Sequence, residues 1–303
     1  MIRMLNSKSL YTYARRTLSL RALRRADPFI VLLLLFLTLL AVIMLLPIIY
    51  LFNHALKPFH ELFLFPPTLI ARNPTLQNYV ELFTISEDAY IPVSRYVFNS
   101  FVVTLLATGG MIVTSALCAY PLSKHRFPGR ALLFSVIVVS LLFVAEVLTI
   151  PRYVVVSNLG IMNNYWGHLL PIISLPVGVF LLKQFVDQVP EEMLDAAKID
   201  GASEVRIFAR IVIPIVAPAL ATVGILAFQL AWNNVETSGL FMQDESMKTL
   251  AFYMTSLTAN LSNTVARQGA AAAGALILFV PQLVVFLIFQ HKVIATMAHS
   301  GIK

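Results

Sequence analysis

The chain has 303 residues, of which 58% are hydrophobic and only 12% are charged, and its mean hydropathy is +0.81. Soluble domains carry about 25% charged residues, so this composition excludes an ordinary soluble domain and indicates a membrane protein. The net charge of +7 comes from basic residues beside apolar stretches, a pattern that orients a membrane protein and does not indicate nucleic-acid binding. The single cysteine, Cys118, excludes a disulfide framework and a metal site built from thiolates.

The N-terminal segment 1–28 is basic, with seven Arg and Lys residues against one acid, Asp27. Positive charge ahead of an apolar stretch predicts a cytoplasmic N-terminus. The apolar stretch 29–52 follows and is long enough to cross the roughly 30 Å hydrocarbon core as the first transmembrane helix. This stretch is too long for the core of a cleavable signal peptide. The next residues, 53–96, are mixed in polarity and rich in proline, and we expect an extracytoplasmic segment with short helices.

The remaining residues, 97–303, are expected to form the core of the protein. Five more apolar stretches are interpreted as spans two to six, over 97–120, 131–150, 167–186, 214–232 and 270–289. Small residues in span two suit close helix packing. Pro171 and Pro176 fall inside span four and break backbone hydrogen bonds there, which a membrane tolerates only where neighbouring helices or water satisfy the freed groups.

The basic residues are distributed unevenly between the two sides of the membrane. Sixteen of the 22 Lys and Arg residues fall in segments, or at span ends, assigned to the cytoplasm, and six fall outside. This bias has the sign expected of a membrane protein. The sequence therefore predicts an all-α, polytopic membrane protein with six transmembrane helices and both termini cytoplasmic, the tail running over 290–303.

The loop 187–213 is the most polar segment between two apolar stretches and holds six of the 15 acidic residues. Its composition predicts a helix, a turn and a second helix. Pro190 suits the first helical position, and the Glu residues that follow it suit the positive end of the helix dipole. Gly201 is able to take the left-handed conformation that ends the helix, and Ser203 is expected to cap the next one.

Small and apolar residues recur in this loop at a fixed spacing. Asp195, Ala196 and Ala197 come first, Gly201 follows after three residues, Ile211 after nine more, and Ile213 and Pro214 after one. The pattern resembles the EAA loop of ABC-importer permeases, which reads Glu-Ala-Ala, three residues, Gly, nine, Ile, one, Leu, Pro. Asp195 and Ile213 depart from it but keep the chemical type. The resemblance runs from about Val97 to the C-terminus and is to binding-protein-dependent sugar permeases of the maltose type.

In that family the EAA loop is the coupling element that docks on the ATPase subunit. The resemblance implies a coupling role for Glu191, Asp195, Ala196, Ala197, Asp200, Gly201 and Pro214. Ala197 lies one turn before Gly201, and we expect that shared face to enter the groove of the ATPase. The tail residues Gly301 and Lys303 match a family ending that contacts the ATPase pair. The match covers only four residues, and the alternative is a frayed terminus with no such contact. The plain alternative for the loop is an alanine-rich helix exposed to the cytoplasm.

The resemblance also implies partners and a mechanism. These are a homologous second permease subunit, two ATP-binding subunits, an extracytoplasmic solute-binding protein, a sugar substrate of the oligosaccharide class, and the lipid of a bacterial or archaeal cytoplasmic membrane. Transport would proceed by alternating access. No nucleic-acid partner is expected.

Nothing in the sequence indicates an enzyme. There is no Gly-rich phosphate loop with Lys and Ser or Thr, the six histidines are scattered, and no nucleophile stands beside an evident base. We therefore expect no cofactor and no metal in this chain, since ATP and Mg would be bound by the ATPase partners. The alternative is a self-sufficient secondary transporter or channel for a polar solute. It needs ionisable residues within the membrane, where only Glu146 qualifies, and it leaves the charged loop unexplained.

Three residues are candidates for the substrate path. Glu146 is an ionisable group near the outer end of span three, so it serves either a structural hydrogen bond or the path. Trp232 and Asn233 end span five, where an aromatic ring and an amide suit the faces and hydroxyls of a sugar. The alternative for this pair is an interfacial Trp anchor followed by a helix-ending Asn.

Overall fold

A computed structural model of the chain describes residues 28–62, 64, 68, 70–85, 91–259 and 268–300. Within these ranges every regular element is helical, so the all-α prediction is confirmed. Most of the basic N-terminal segment, and the tail residues Gly301 and Lys303, lie outside the described residues.

The helices follow one another along the chain with short connections. We number them α1 Pro28–Leu56, α2 Phe59–Leu62, α3 Gln77–Ile85, α4 Val93–Lys124, α5 Arg130–Ser140, α6 Thr149–Asn158, α7 Tyr165–Leu169, α8 Pro176–Asp187, α9 Glu191–Ile199, α10 Glu204–Ile207, α11 Ile213–Ile215, α12 Ala217–Trp232, α13 Glu236–Phe241, α14 Leu250–Ala259 and α15 Gln268–Ser300. Two 3₁₀ turns, Ala145–Leu148 and Glu245–Met247, and a π-helical segment, Phe208–Val212, complete the described elements.

Three described helices, α1, α4 and α15, are long and apolar enough to cross a membrane. A fourth span is added if the helices Glu204–Ile215 and Ala217–Trp232, which meet at 81°, are counted as one. The count of six spans and the position of both termini stay predictions. The predicted short helices between spans one and two are present as α2 and α3.

The predicted third span is not one continuous helix. Helix α5 ends at Ser140 after 11 residues, about 16 Å of rise, which is close to half of the hydrocarbon core. A turn over 141–144 and the 3₁₀ turn Ala145–Leu148 separate it from α6, which occupies part of the stretch predicted as an outer connection. Pro151 gives a physical reason, because its ring would clash with the carbonyl of Val147 in a helix that continued from α5.

The predicted fourth span is also divided. Short helix α7 is followed by a turn that contains Pro171, and α8 begins at Pro176. The two prolines thus lie where the predicted span is interrupted, in agreement with the expectation that they break its backbone hydrogen bonds. Pro176 opens a helix at the position where its missing N–H leaves no bond unmade. In α15, by contrast, Pro281 lies inside the helix.

Helices α8 and α12 pack against α4 and form one apolar cluster with it, whose members include Met111, Leu175, Leu182 and Val223. Small residues allow close approach, as predicted for span two. A Cβ built on Gly178 of α8 would lie 2.6 Å from Oγ of Ser115 on α4, which is fully buried. A second cluster joins α1, α4, α14 and α15 through Ala55, Val93, Leu250 and Ala270. The polar loop 187–213 follows α8 and leads to α12, so the helices of the first cluster hold it in place.

Candidate functional site

Helix α9 is the first helix of the polar loop and carries the predicted coupling residues. Pro190 stands just before it with φ −60° and ψ 135°, one position earlier than predicted. Glu191 and Glu192 occupy the first turn, as expected for acids at the positive end of a helix dipole. Their side chains are exposed, as are those of Asp195 and Asp200.

Gly201 ends α9 in the left-handed conformation, with φ +79°. Its N–H donates to the carbonyl of Lys198 at 3.0 Å, and the N–H of Ala202 donates to the carbonyl of Ala197 at 2.9 Å. These two bonds form a Schellman turn, which favours glycine because a side chain is strained at positive φ. The predicted role of Gly201 as helix terminator is confirmed. Ser203 precedes α10 as predicted, but its side chain makes no capping hydrogen bond there.

The loop exposes a small apolar patch, which we define as Met193, Ile199 and Val205. Their exposed fractions are 46%, 87% and 76%. Leu194 and Ile207 of the same loop are buried, so this loop has an inner apolar face as well as this outer one. Apolar side chains held outward on a polar segment mark an interaction surface. The side chain of Ala196 is exposed on the same helix.

Ala197 does not share this outward orientation. It is half-buried and packs on the inner cluster of the loop, which contains Leu194, Ile207 and Val212. Part of its surface is therefore covered by the chain's own residues, and the expectation that its face enters the ATPase groove stays a prediction. Of the two adjacent alanines, Ala196 is the outward one.

Pro214 lies farther along the chain than the other coupling residues. It belongs to the short helix α11, directly after the π-helical segment Phe208–Val212, and is exposed. The residues from Glu191 to Gly201 thus lie together on α9 and its closing turn. Pro214 is separated from them by α10 and the π-helical segment.

The C-terminal end of α4 contacts the loop on both sides of α9, which sequence reasoning missed. Tyr120 donates its hydroxyl proton to Glu204 Oε2 at 2.7 Å, and Ser123 donates to Asp187 Oδ1 at 2.6 Å. Lys124 Nζ donates to the carbonyl of Val189 at 2.6 Å. The sequence presents this region only as a short basic turn. The signal in the sequence was that Tyr120, Ser123 and Lys124 place polar groups at the end of an apolar helix.

Asp187 holds its charge in this arrangement. Burial alone would raise the pKa of its carboxyl, but hydrogen bonds from Lys183 and Ser123 bring the pKa below its ordinary value. Lys183 Nζ lies 2.7 Å from Asp187 Oδ2. The carboxylate therefore stays ionised and keeps accepting both hydrogen bonds at neutral pH.

A pocket of about 220 Å³ lies between the inner end of α4 and α9. It is lined by Tyr120, Lys124, His125, Arg126, Glu191, Leu194, Asp195 and Lys198. Charges of both signs meet here, and His125 Nε2 lies 3.6 Å from Glu204 Oε2. The pocket is part of the contact between α4 and the loop.

Glu146 lies in the 3₁₀ turn that interrupts the third span. Its side chain is exposed, and in the described part of the chain its carboxylate has no hydrogen bond or ion pair. Large apolar neighbours on both sides are exposed too, including Leu142 at 79% and Val147 at 67%. Among the described residues, none provides a partner for the structural hydrogen bond, and none of the described hydrogen bonds joins Glu146 to Trp232 or Asn233.

Trp232 is only 1% exposed. Its Nε1–H donates to the carbonyl of Leu278 at 2.9 Å. Its ring stacks on Phe228 at 5.8 Å and meets Phe101 edge-on at 5.2 Å. Neither sequence interpretation describes this residue, because helices α4, α12 and α15 enclose the ring and leave no open face for a sugar or a membrane interface. Trp232 packs α12 against its neighbours.

Asn233, in contrast, is exposed and bonds the side chain of Gln282 and the backbone of Gln229, and we call Gln229, Asn233 and Gln282 the amide cluster. Asn233 Nδ2 donates to the backbone carbonyl of Gln229 at 2.9 Å, and Gln282 Nε2 donates to Asn233 Oδ1 at 2.8 Å. Gln282 lies near the middle of the apolar stretch Gln268–Lys292. Gln229 lies one turn before Asn233 on the same face of α12. The four-residue spacing of Gln229 and Asn233 in an apolar helix is visible in the sequence. Nevertheless, neither Gln229 nor Gln282 was among the candidates predicted from the sequence.

Residues 96–293 match the family described as "Binding-protein-dependent transport system inner membrane component". The chain belongs to this family. The matched range includes α4, the coupling loop, the amide cluster and most of α15. Members are membrane components of transport systems rather than enzymes, and the resemblance of the EAA-like loop to ABC-importer permeases is confirmed.

Similar proteins have been named for several transported compounds. The chain is 30% identical over 259 residues to the sulfoquinovosyl glycerol transport system permease protein SmoH of Agrobacterium fabrum, covering 85% of this chain and 88% of that protein. It is 29% identical to the trehalose transport system permease protein SugB of Mycobacterium tuberculosis, covering 86% and 92%. It is 29% identical to the arabinooligosaccharides transport system permease protein AraQ of Bacillus subtilis, covering 89% and 94%.

The fold resembles a solved structure. A crystal structure of a bacterial ABC transporter involved in the import of the acidic polysaccharide alginate contains a chain that superposes with a TM-score of 0.74. The alignment covers 87% of this chain and 95% of that one at 21% identity, and it shows the shared fold. The predicted permease bundle is thereby confirmed as a fold class.

Proposed function

We propose that the chain is one permease subunit of an ABC importer for a sugar of the oligosaccharide class. It pairs with a homologous second permease subunit, two ATP-binding subunits and an extracytoplasmic solute-binding protein, and it works by alternating access in a bacterial or archaeal cytoplasmic membrane. One observation carries the proposal, namely the apolar patch Met193, Ile199 and Val205 displayed beside the Schellman turn of a family-matched loop.

The coupling step follows from that geometry. Ile199 and Val205 flank Gly201 in the sequence, and both side chains are exposed on the two sides of the turn. Burying this surface in a groove of an ATPase subunit is favourable by about 25 cal/mol per Å² of apolar area. Glu191, Asp195 and Asp200 are exposed in the same loop and would orient it on the ATPase by charge. The tail residues Gly301 and Lys303 would add a second contact with the ATPase pair.

The break in the third span supports a partner within the membrane. Irregular backbone at membrane depth is stable only where protein covers it or where it lines a water-filled cavity. Counted from Arg130, α5 rises about half of the hydrocarbon core, so the turn over 141–148 would begin within the membrane, and its described side chains are exposed. A second permease subunit would cover it, and Glu146 would then face that subunit or the path between the two subunits.

The amide cluster supports a neutral, hydroxyl-rich substrate. Each amide supplies both a donor and an acceptor, which matches a sugar hydroxyl. Two basic residues beside the helices of this bundle are already paired with acids: Arg152 with Glu236 at 2.6 Å, and Lys248 with Glu245. Among the transport systems of similar proteins, those named for trehalose and arabinooligosaccharides are therefore the better guides to this substrate.

Reconstitution tests the proposal. The chain would be purified with the products of neighbouring permease, ATPase and binding-protein genes, placed in proteoliposomes and supplied with labelled neutral oligosaccharides. We expect uptake that requires ATP inside and the loaded binding protein outside. Uptake by this chain alone, driven by an ion gradient, would instead establish the secondary transporter.

A further inference from the structure

The last turn of α4 holds the coupling loop at two places. Before α9, Ser123 bonds Asp187 at 2.6 Å and Lys124 bonds the carbonyl of Val189 at 2.6 Å. After α9, Tyr120 bonds Glu204 at 2.7 Å. One helical turn therefore contacts the chain on both sides of the coupling helix. Each bond involves a charged group, and such bonds are roughly twice as strong as neutral ones.

Apolar packing reinforces these bonds. Tyr120 is 7% exposed and packs in one cluster with Val186, Val189, Leu194, Ile207, Val212 and Val216. The ring of Tyr120 also lies 5.2 Å from that of His125 and 5.3 Å from that of Phe208. Close-packed interiors move as units, because side chains in them interlock.

The segment that connects the loop to α12 is not a continuous α-helix, unlike α4. It passes through the π-helical segment Phe208–Val212 and then breaks at Val216, where φ is −87° and ψ is 10°. The helices on either side of this break meet at 81°. Sharp bends and π segments are sites where a helix does not transmit motion along a straight axis.

The opposite end of α4 reaches the outer segment. Asn99 Nδ2 donates to the carbonyl of Ser246 at 2.8 Å, and the N–H of Leu250 donates to Ser100 Oγ at 2.8 Å. A displacement of the inner end of this 32-residue helix would thus reach the outer segment between α12 and α15.

We infer that the motion of docked ATPase subunits enters the membrane domain through α4. Tyr120, Ser123 and Lys124 are positioning residues that keep α4 and the coupling loop together as one unit. This inference rests on the proposed function, since it assumes that the loop docks on an ATPase.

A cross-link tests the rigid unit. In a Cys118→Ser background, which removes the only native cysteine, Ser123→Cys and Asp187→Cys would be joined by a short, reducible thiol cross-linker in the complete transporter in proteoliposomes. We expect the same sugar uptake before and after cross-linking, because the two sites do not move apart. Uptake that is lost on cross-linking and returns on reduction would overturn the inference.

A single hydroxyl tests the positioning role. Tyr120→Phe keeps the packed ring but removes the bond to Glu204, and we expect uptake per ATP hydrolysed to fall about tenfold with normal recovery of the complex. Tyr96→Phe is the matched control, because it removes a hydroxyl–carboxylate bond to Glu245 at the outer end of the same helix. The ratio should stay unchanged there. A wild-type ratio in Tyr120→Phe, or a loss of uptake explained by less assembled complex, would refute the positioning role.

The wild-type complex separates this inference from the proposed function. If loaded binding protein does not stimulate its ATP hydrolysis, the proposed function itself fails. If stimulation is present, Tyr120→Phe couples normally and the cross-link blocks uptake, only the route through α4 fails.

Discussion

Ala202 donates its backbone N–H to the carbonyl of Ala197 at 2.9 Å, across the left-handed Gly201. This bond closes the turn between the two helices of the coupling loop. Because Ile199 and Val205 lie on either side of this turn, its geometry determines how their side chains are oriented toward solvent.

We expect Gly201→Val to abolish ATPase docking and uptake. A β-branched residue at φ +79° is strained by about 1–3 kcal/mol, and relief of that strain would reorient the turn. Gly109→Val is the control, because Gly109 has no positive φ and open space around its Cβ position. Both variants should insert in the membrane. Co-purification of the ATPase subunits measures docking, and wild-type uptake by Gly201→Val would remove the main support for coupling through this loop.

Substitutions on the two faces of α9 should fail in different ways. Ile199→Asp places a charge on the exposed patch, so we expect loss of ATPase co-purification with a normally folded loop. Ala197→Asp places a charge against the chain's own core, so we expect the loop itself to be destabilised. Limited proteolysis of the loop in the absence of ATPase subunits distinguishes the two. Equal protease resistance of both variants would contradict the orientation of Ala197.

The amide cluster predicts a substrate effect. Gln282→Leu removes the donor to Asn233 and one group for sugar hydroxyls, so we expect uptake to fall by about tenfold at limiting sugar. Binding-protein-stimulated ATP hydrolysis should be retained. Gln290→Leu is the matched control on the same helix, where the amide bonds only its own helix at Leu287. Equal uptake in the two variants would exclude the cluster from the path.

Glu146→Gln tests the exposed carboxylate of the broken span. We expect reduced uptake with normal assembly and normal coupling to the ATPase, because the amide keeps the volume but loses the charge. The recovered ratio of both permease subunits measures assembly. A variant that fails to assemble would instead assign Glu146 to the contact with the second subunit.

Topology is open to direct labelling. In the Cys118→Ser background, a cysteine at Gln243 should react with an impermeant thiol reagent in intact cells, and one at Ser203 should react only after permeabilisation. Both positions are exposed, so access to solvent on the protein surface does not limit either reaction. Labelling of the cysteine at Ser203 from outside would place the loop on the wrong side for an ATPase.

Local chemistry made several features readable from the sequence alone. Long apolar stretches predict membrane helices, because a segment in lipid must bond its own backbone groups and a helix does so. The turn at Gly201 was predictable because only glycine takes positive φ without strain. The spacing from Asp195 to Pro214 indicated the family, since a docking turn depends on residues close in sequence. The family match and the shared fold agree with these inferences.

Other features were decided by tertiary contacts. The orientation of Ala197 depends on which side of α9 meets the chain's own core, and helical spacing alone does not select that side. Trp232 is enclosed by three helices that lie far apart in sequence. The bond from Tyr120 to Glu204 joins residues 84 positions apart. Such pairs form only when the helices pack, because side-chain burial and hydrogen-bond partners depend on distance in space rather than along the chain.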